Sequence, residues 1–188
     1  MNEEKIATLE EEIRLKQAEL VALRKDHPAE RIGNYTLQGE SGKVQLLDLF
    51  GDQTDLMVIH NMGSTCPYCT LWADGLNGIV DQLQNRTGLA LISPDPVEKQ
   101  QGFALGRNWR FTMVSADGST FIQDMGFWNE GWGGAMPGVS TFTRDTAGNI
   151  TRVAKAVFGP GDAYCPAWHL FDLLADGVKD WQPGFSYE

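Results

Sequence analysis

Apolar residues recur at helical spacing over the first 25 positions. Ile6, Leu9, Ile13, Leu20 and Leu23 fall alternately three and four residues apart, with Lys16 in the gap, and most other positions are Glu, Lys, Arg or Gln. This is a heptad-like seam, about three heptads long. It predicts one helix over residues 3–25, ended at Asp26-His27-Pro28 because the residue before a proline avoids helical geometry. The seam fits two arrangements: an arm packed across its own domain, or an arm that crosses to a second copy and makes a homodimer.

From residue 33 onward the period changes. Tyr35-Thr36-Leu37 and Val44-Gln45-Leu46-Leu47 flank a glycine turn and predict a hairpin, followed by one helical turn at 48–51. Leu56-Met57-Val58-Ile59-His60 reads as a buried strand, and the apolar pattern of 70–84 as a helix. Leu89–Ser93 is a short apolar run suited to a buried parallel strand. A helix over 97–108, a strand over 111–115 and a short helix over 121–125 follow. Residues 126–135 are rich in glycine and tryptophan, have no period and predict a loop. Val139–Arg144 and Ile150–Val157 around the 145–149 turn form the clearest hairpin in the chain. A last helix is expected from Pro166 to Ala175, and the tail 180–188 has no clear pattern. Strand–helix alternation followed by a hairpin and a helix implies an α/β three-layer sandwich with a mixed sheet. The N-terminal arm (1–32) precedes one domain (33–188).

Composition narrows the function. The chain has 188 residues, a net charge of −10, 42% hydrophobic and 21% charged residues. It has no basic footprint for nucleic acid, which also disfavours an anionic membrane surface. No apolar run approaches the ~20 residues of a membrane span. The first residues do not read as a secretory signal, so a cytoplasmic location is expected. Three cysteines, two of them in one C-x-x-C, do not make a secreted disulfide framework.

Those two cysteines carry the candidate chemistry. Cys66-Pro67-Tyr68-Cys69 joins the end of the Leu56–His60 strand to the start of the next helix. Only a thiolate attacks a disulfide, and the unpaired N–H groups of a helix N-terminus favour that ion. Cys66 is expected to be the exposed nucleophile and Cys69, one turn inward, to resolve the mixed disulfide. Pro67 suits the first helical turn. Other readings of the pair are buried structural thiols or half of a zinc site. Cys165, in Cys165-Pro166-Ala167-Trp168-His169, completes a zinc-compatible set on paper, although the spacing is very long; a buried free thiol fits it better. Neither a metal nor a cofactor is expected. Asp74 suits a solvated or capping carboxylate. Trp128 and Trp132 are either core or an apolar wall beside the dithiol.

The element order resembles the thioredoxin fold, and Pro67-Tyr68 is the dipeptide that glutaredoxins carry between their cysteines. Leu47-Asp48-Leu49-Phe50, His60, Cys66–Cys69 and Trp72-Ala73-Asp74-Gly75-Leu76-Asn77-Gly78 are similar to a poorly characterised bacterial family of predicted thioredoxin-like dithiol–disulfide oxidoreductases with an N-terminal helical arm. The resemblance implies that Met136-Pro137 is a cis-proline turn facing the dithiol. It also implies a substrate-binding edge of Thr65, Pro67, Tyr68 and the Met136–Pro137 backbone. His60, six residues before Cys66, stands where thioredoxins keep a buried acid that relays a proton to the second cysteine; a core histidine bonded to backbone is the other reading. The implied partners are a protein or small-molecule disulfide and an external reductant. The Pro-x-x-x-Thr-x-x-Cys signature of peroxiredoxins is absent, because Ile59 and Gly63 hold its first two positions. Peroxide reduction through a Cys66 sulfenic acid is therefore the second enzymatic reading, and a zinc-stabilised or redox-sensing binding module is the non-enzymatic one.

Overall fold

The structure is a computed structural model that describes residues 2–187. Helix α1 (Asn2–Asp26) precedes strand β1 (Glu30–Ile32). The hairpin β2 (Thr36–Gly39) and β3 (Gly42–Gln45) leads through a 3-10 turn (Leu46–Phe50) to β4 (Asp55–His60). Next come α2 (Pro67–Asn77), α3 (Val80–Arg86), β5 (Gly88–Ser93), α4 (Val97–Gly106) and β6 (Thr112–Ser115). Helix α5 (Phe121–Asp124), the two-residue strands β7 (Trp128–Asn129) and β8 (Gly134–Ala135), the hairpin β9 (Gly138–Arg144) and β10 (Ile150–Val157), and α6 (Pro166–Phe171) complete the chain.

Eight strands form one mixed sheet in the order β1-β10-β9-β4-β5-β6-β2-β3. The pairs β4–β5 and β5–β6 are parallel, as the buried apolar runs of β4 and β5 require, and the remaining pairs are antiparallel. Alternation along β4 divides the core. Leu56 and Val58 face a cluster with Leu46, Phe50, Phe121 and Phe127, under the 3-10 turn and α5. Ile59 and its partly buried neighbour Met57 face a second cluster with Trp72, Ala73, Val80 and Trp168, under α2, α3 and α6. Helical elements thus cover both faces, which is the expected three-layer α/β sandwich of thioredoxin-like type. At Gly138 the sheet needs glycine: a Cβ there would lie 2.2 Å from the Phe127 ring and 2.4 Å from the Ala156 carbonyl oxygen.

Several expectations are corrected. The helix after the dithiol does not run unbroken to residue 84. Gly75 and Gly78 weaken it, and at Ile79 (φ −122°) the chain leaves helical geometry before α3 begins. The last helix stops at Phe171, and residues beyond it form turns. Glu30–Ile32, assigned by sequence to the arm, is a sheet strand registered on Ile150–Arg152. The 126–135 loop contains the short β7–β8 ladder. The Met136–Pro137 bond is trans, as are all peptide bonds among the described residues. Met136 N–H donates to the Phe127 carbonyl (2.8 Å) and Pro137 C=O accepts from Phe158 N–H (3.0 Å), so this segment is an extended lead into β9 and takes the lower-energy isomer. Glu188, part of the expected tail, lies outside the described residues. No helix among the described residues is long and apolar enough to cross a membrane.

Candidate active site: a dithiol at the head of α2

The β4 strand ends at His60, and the chain crosses to α2 over six residues. Asn61 N–H still bonds to the Ile92 carbonyl (2.9 Å), which keeps the loop start on the sheet. Gly63 then takes φ +110°, a conformation that disfavours side chains, and its N–H bonds to the Asn61 side-chain oxygen (2.8 Å). Ser64 donates both its N–H (2.7 Å) and its hydroxyl (2.8 Å) to one oxygen of Asp95; Lys99 holds the other oxygen at 2.8 Å. Burial opposes the Asp95 charge, but the bonds from Lys99 and Ser64 outweigh it and hold its pKa below the usual carboxylate value. Asp95 belongs to the β5–α4 connection and was invisible as a site residue in sequence. It fixes the loop that delivers Cys66.

Cys66 is the N-cap of α2, with extended backbone (φ −100°, ψ 106°), and Pro67 occupies the first turn as expected. The Cys66 sulfur accepts the Cys69 backbone N–H at 3.1 Å, taking one of the donors that a helix start leaves unpaired. Cys69 is 2% exposed; Met62 N–H donates to its sulfur at 3.4 Å. The Met62 thioether lies 3.9 Å from the Cys66 sulfur, so Met62 is a neighbour of Cys66 that sequence reading missed.

These contacts split the two thiols. The neighbouring Cys69 thiol, opposed by burial and helped by the Cys69 and Tyr68 N–H groups, lowers the Cys66 pKa to about 7. The same pairing with Cys66, then burial and the Cys66 charge, push Cys69 far up. Cys66 is thus a half-buried thiol that ionises near neutral pH, backed by a buried thiol that stays protonated.

Other candidates fall in different places. Thr65 is exposed next to Cys66. Tyr68 stacks on Trp168 (centroids 6.1 Å apart) and its hydroxyl bonds to Gln182, so the C-terminal segment braces α2. Asp74 is half-exposed but not merely solvated: it accepts from Trp109 Nε1 (2.7 Å) and from Arg107, tying α2 to the segment after α4. Met136 N–H is spent on Phe127, so that backbone donor is not free for a substrate chain. Trp128 packs against the first core cluster, the core alternative, and Trp132 is 63% exposed.

His60 also leaves the dithiol. It shares the strand face of Leu56 and Val58, lies 3.8 Å from the Phe127 ring centroid in a stacked arrangement, and pairs Nε2 with the Ser140 hydroxyl at 3.0 Å. That is the sheet face opposite the one α2 covers. Burial, then the Arg152 and Lys155 charges, lower its pKa to about 3, so it is neutral at physiological pH. Its Nδ1 is buried with no hydrogen-bond partner. The placement is that of a core histidine, bonded to a side chain rather than to backbone. Cys165 is buried in the second cluster, where burial raises its pKa, and His169 bonds to the Asp162 carbonyl (3.0 Å). Among the described residues no group of three His, Cys, Asp or Glu side chains is placed to hold a metal ion, so the zinc arrangement is not assembled.

Over residues 2–185 the sequence matches the family described as "Bacterial protein of unknown function (DUF899)". The chain belongs to this family. No protein with a curated function matches it. Among solved structures it is similar to the peroxidoxin BcpB of Mycobacterium tuberculosis, at 21% identity and TM-score 0.54, over 69% of this chain and 84% of that one. It is also similar to reduced Prx3 of Vibrio vulnificus in complex with H2O2 (19%, TM-score 0.54, 71% and 88%). A third is the peroxiredoxin Q of Xanthomonas campestris (14%, TM-score 0.55, 65% and 79%). At these identities the likeness is one of fold, and it agrees with the thioredoxin-like architecture.

Proposed function

We propose that the protein is a dithiol–disulfide oxidoreductase in which Cys66 attacks and Cys69 resolves. The observation that carries this is the N-cap geometry: the Cys69 N–H on the Cys66 sulfur at 3.1 Å, with the Cys69 thiol buried behind it. In the first step the Cys66 thiolate attacks one sulfur of a substrate disulfide; a mixed disulfide forms and the other sulfur leaves as a thiolate. Cys69 then loses its proton and attacks the Cys66 sulfur. The second substrate sulfur leaves, Cys66–Cys69 is oxidised, and the substrate has gained two electrons. As Cys66 is consumed its negative charge disappears, so the principal charge opposing ionisation of Cys69 is removed when resolution needs it. An external thiol reductant restores the dithiol, as a reducing cytoplasm would supply.

The substrate is a protein or small-molecule disulfide. Insulin, oxidised glutathione and cystine, each with a recycling reductant, test this. Turnover that disappears in Cys66→Ser, and a mixed disulfide that accumulates in Cys69→Ser, are the expected results. Turnover that survives Cys66→Ser rejects the proposal.

Peroxide is the second reading, favoured by the peroxiredoxin fold of the similar structures. There the Cys66 thiolate attacks the O–O bond, an alkoxide or hydroxide leaves, and Cys66 becomes a sulfenic acid. Cys69 condenses with it to the same disulfide and releases water. The same panel with peroxide added separates the two by rate.

A further inference from the structure

Helix α1 buries none of its residues, although it carries an apolar seam at heptad spacing. Ile6 is 55% exposed, Leu9 47%, Ile13 57%, Leu20 46% and Leu23 61%. At 25 residues it is about 37 Å long. An isolated helix with such a seam is marginal in water and gains its stability from whatever covers that face.

The sequence identifies the cover. In heptad terms Ile6, Ile13 and Leu20 occupy the a positions and Leu9, Lys16 and Leu23 the d positions. Mainly β-branched residues at a with leucine at d favour two parallel strands. The flanking charges agree. In a parallel pair, each g residue faces the e residue five positions later on the partner helix. Lys5 then meets Glu10 of the other copy, Glu12 meets Gln17, and Glu19 meets Arg24, so two contacts are attractive and none repulsive. In the in-register antiparallel pair Glu12 would face Glu19 twice at the centre. Lys16 is the one polar seam residue, and in the in-register parallel pair it meets Lys16 of the second copy. Its amine reaches Glu19 at 2.7 Å, which lets its stem lie along the seam while the charge stays in water. Holding that layer together costs affinity. Five half-exposed seam residues per copy, with flanking stems, offer roughly 1,000 Å² in a pair, the lower bound for a specific interface.

We infer that α1 is a dimerisation arm that forms a parallel two-stranded coiled coil with α1 of a second copy of this chain. No substituted residue in the test below touches the dithiol or the core. The full-length reduced protein is measured by sedimentation equilibrium, with sheet unfolding followed in parallel. The expected mass is that of two chains. Ile13→Glu with Leu20→Glu should give a monomer whose sheet unfolds as before. Glu10→Lys alone should raise the dimer dissociation constant about 2- to 30-fold, since it removes two symmetry-related surface pairs. Adding Lys5→Glu should restore it, because the parallel contact is then re-formed with its signs exchanged. Lys16→Leu should tighten the dimer. A monomeric wild type at tens of micromolar, a dimer that survives the double glutamate change, a trimer, or a charge exchange that fails to restore affinity would each overturn the assignment.

Discussion

The pairing of the two thiols is the largest cause of their separation, and removing it has a calculable effect. In Cys69→Ala, Cys66 loses the thiol donor that is the largest cause of its lowered pKa and keeps the Cys69 and Tyr68 N–H groups. Its midpoint should therefore rise from about 7 towards the ordinary value of 9.0. At pH 7 the wild-type thiol is about half ionised. A midpoint of 8 to 9 leaves roughly 10% to 1%, a 5- to 50-fold loss of thiolate. The thiolate that remains is more nucleophilic, by about 3- to 10-fold for a Brønsted coefficient of about 0.4–0.5. The net prediction is a first attack about 2- to 8-fold slower at pH 7 and about 3- to 10-fold faster above pH 10, so the two rate–pH curves cross. The assay is release of thiolate from a small aromatic disulfide under excess reagent, followed by absorbance from pH 5 to 11. Wild type should release two equivalents and the variant one. A variant midpoint that stays near 7 would mean the helix start alone sets the ionisation, and the role given to the Cys69 thiol would be wrong.

Three further outcomes follow from the geometry. His60 is neutral in the fold with a pKa of about 3 but has an ordinary value of 6.5 when unfolded, so its contribution is intact above pH 6.5 and is lost as pH falls. Between pH 7.5 and 4.5 this amounts to roughly 2–3 kcal/mol, and His60→Gln should lose that much of the pH dependence of urea unfolding while leaving mixed-disulfide resolution unchanged. Gly63→Ala places a side chain at φ +110° with its Cβ 2.9 Å from an Asp95 oxygen; a loss of about 1–3 kcal/mol and a displaced Cys66, seen as slower thiol labelling in folded protein, are expected. Asp95→Ala removes the acceptor of both Ser64 donors, and the loop before α2 should exchange its amide hydrogens faster while the β4–β5 strands keep their protection.

The elements and the dithiol were legible because local chemistry carries them. Period-two and period-3.6 patterns, the glycine turns and the Cys66-Pro67-Tyr68-Cys69 placement each act within a few residues, so the sequence alone determined the mixed α/β sheet, the head of α2 and the order of the two cysteines. What tertiary structure decided is what depends on which face a residue meets. His60 and Cys66 are six residues apart in sequence, yet strand alternation sends His60 to Phe127 and Ser140 on the far side of the sheet. Asp95 enters the site from the neighbouring strand of a parallel pair, 31 residues from Ser64, and no local pattern announces it. The Met136–Pro137 segment runs extended into β9, held by hydrogen bonds to Phe127 and Phe158 from two other segments. Glu30–Ile32 became a strand only because β10 offered it an edge. Hydrophobic periodicity tells a residue that it will be buried; which neighbours bury it is settled by the packing of segments distant in the chain.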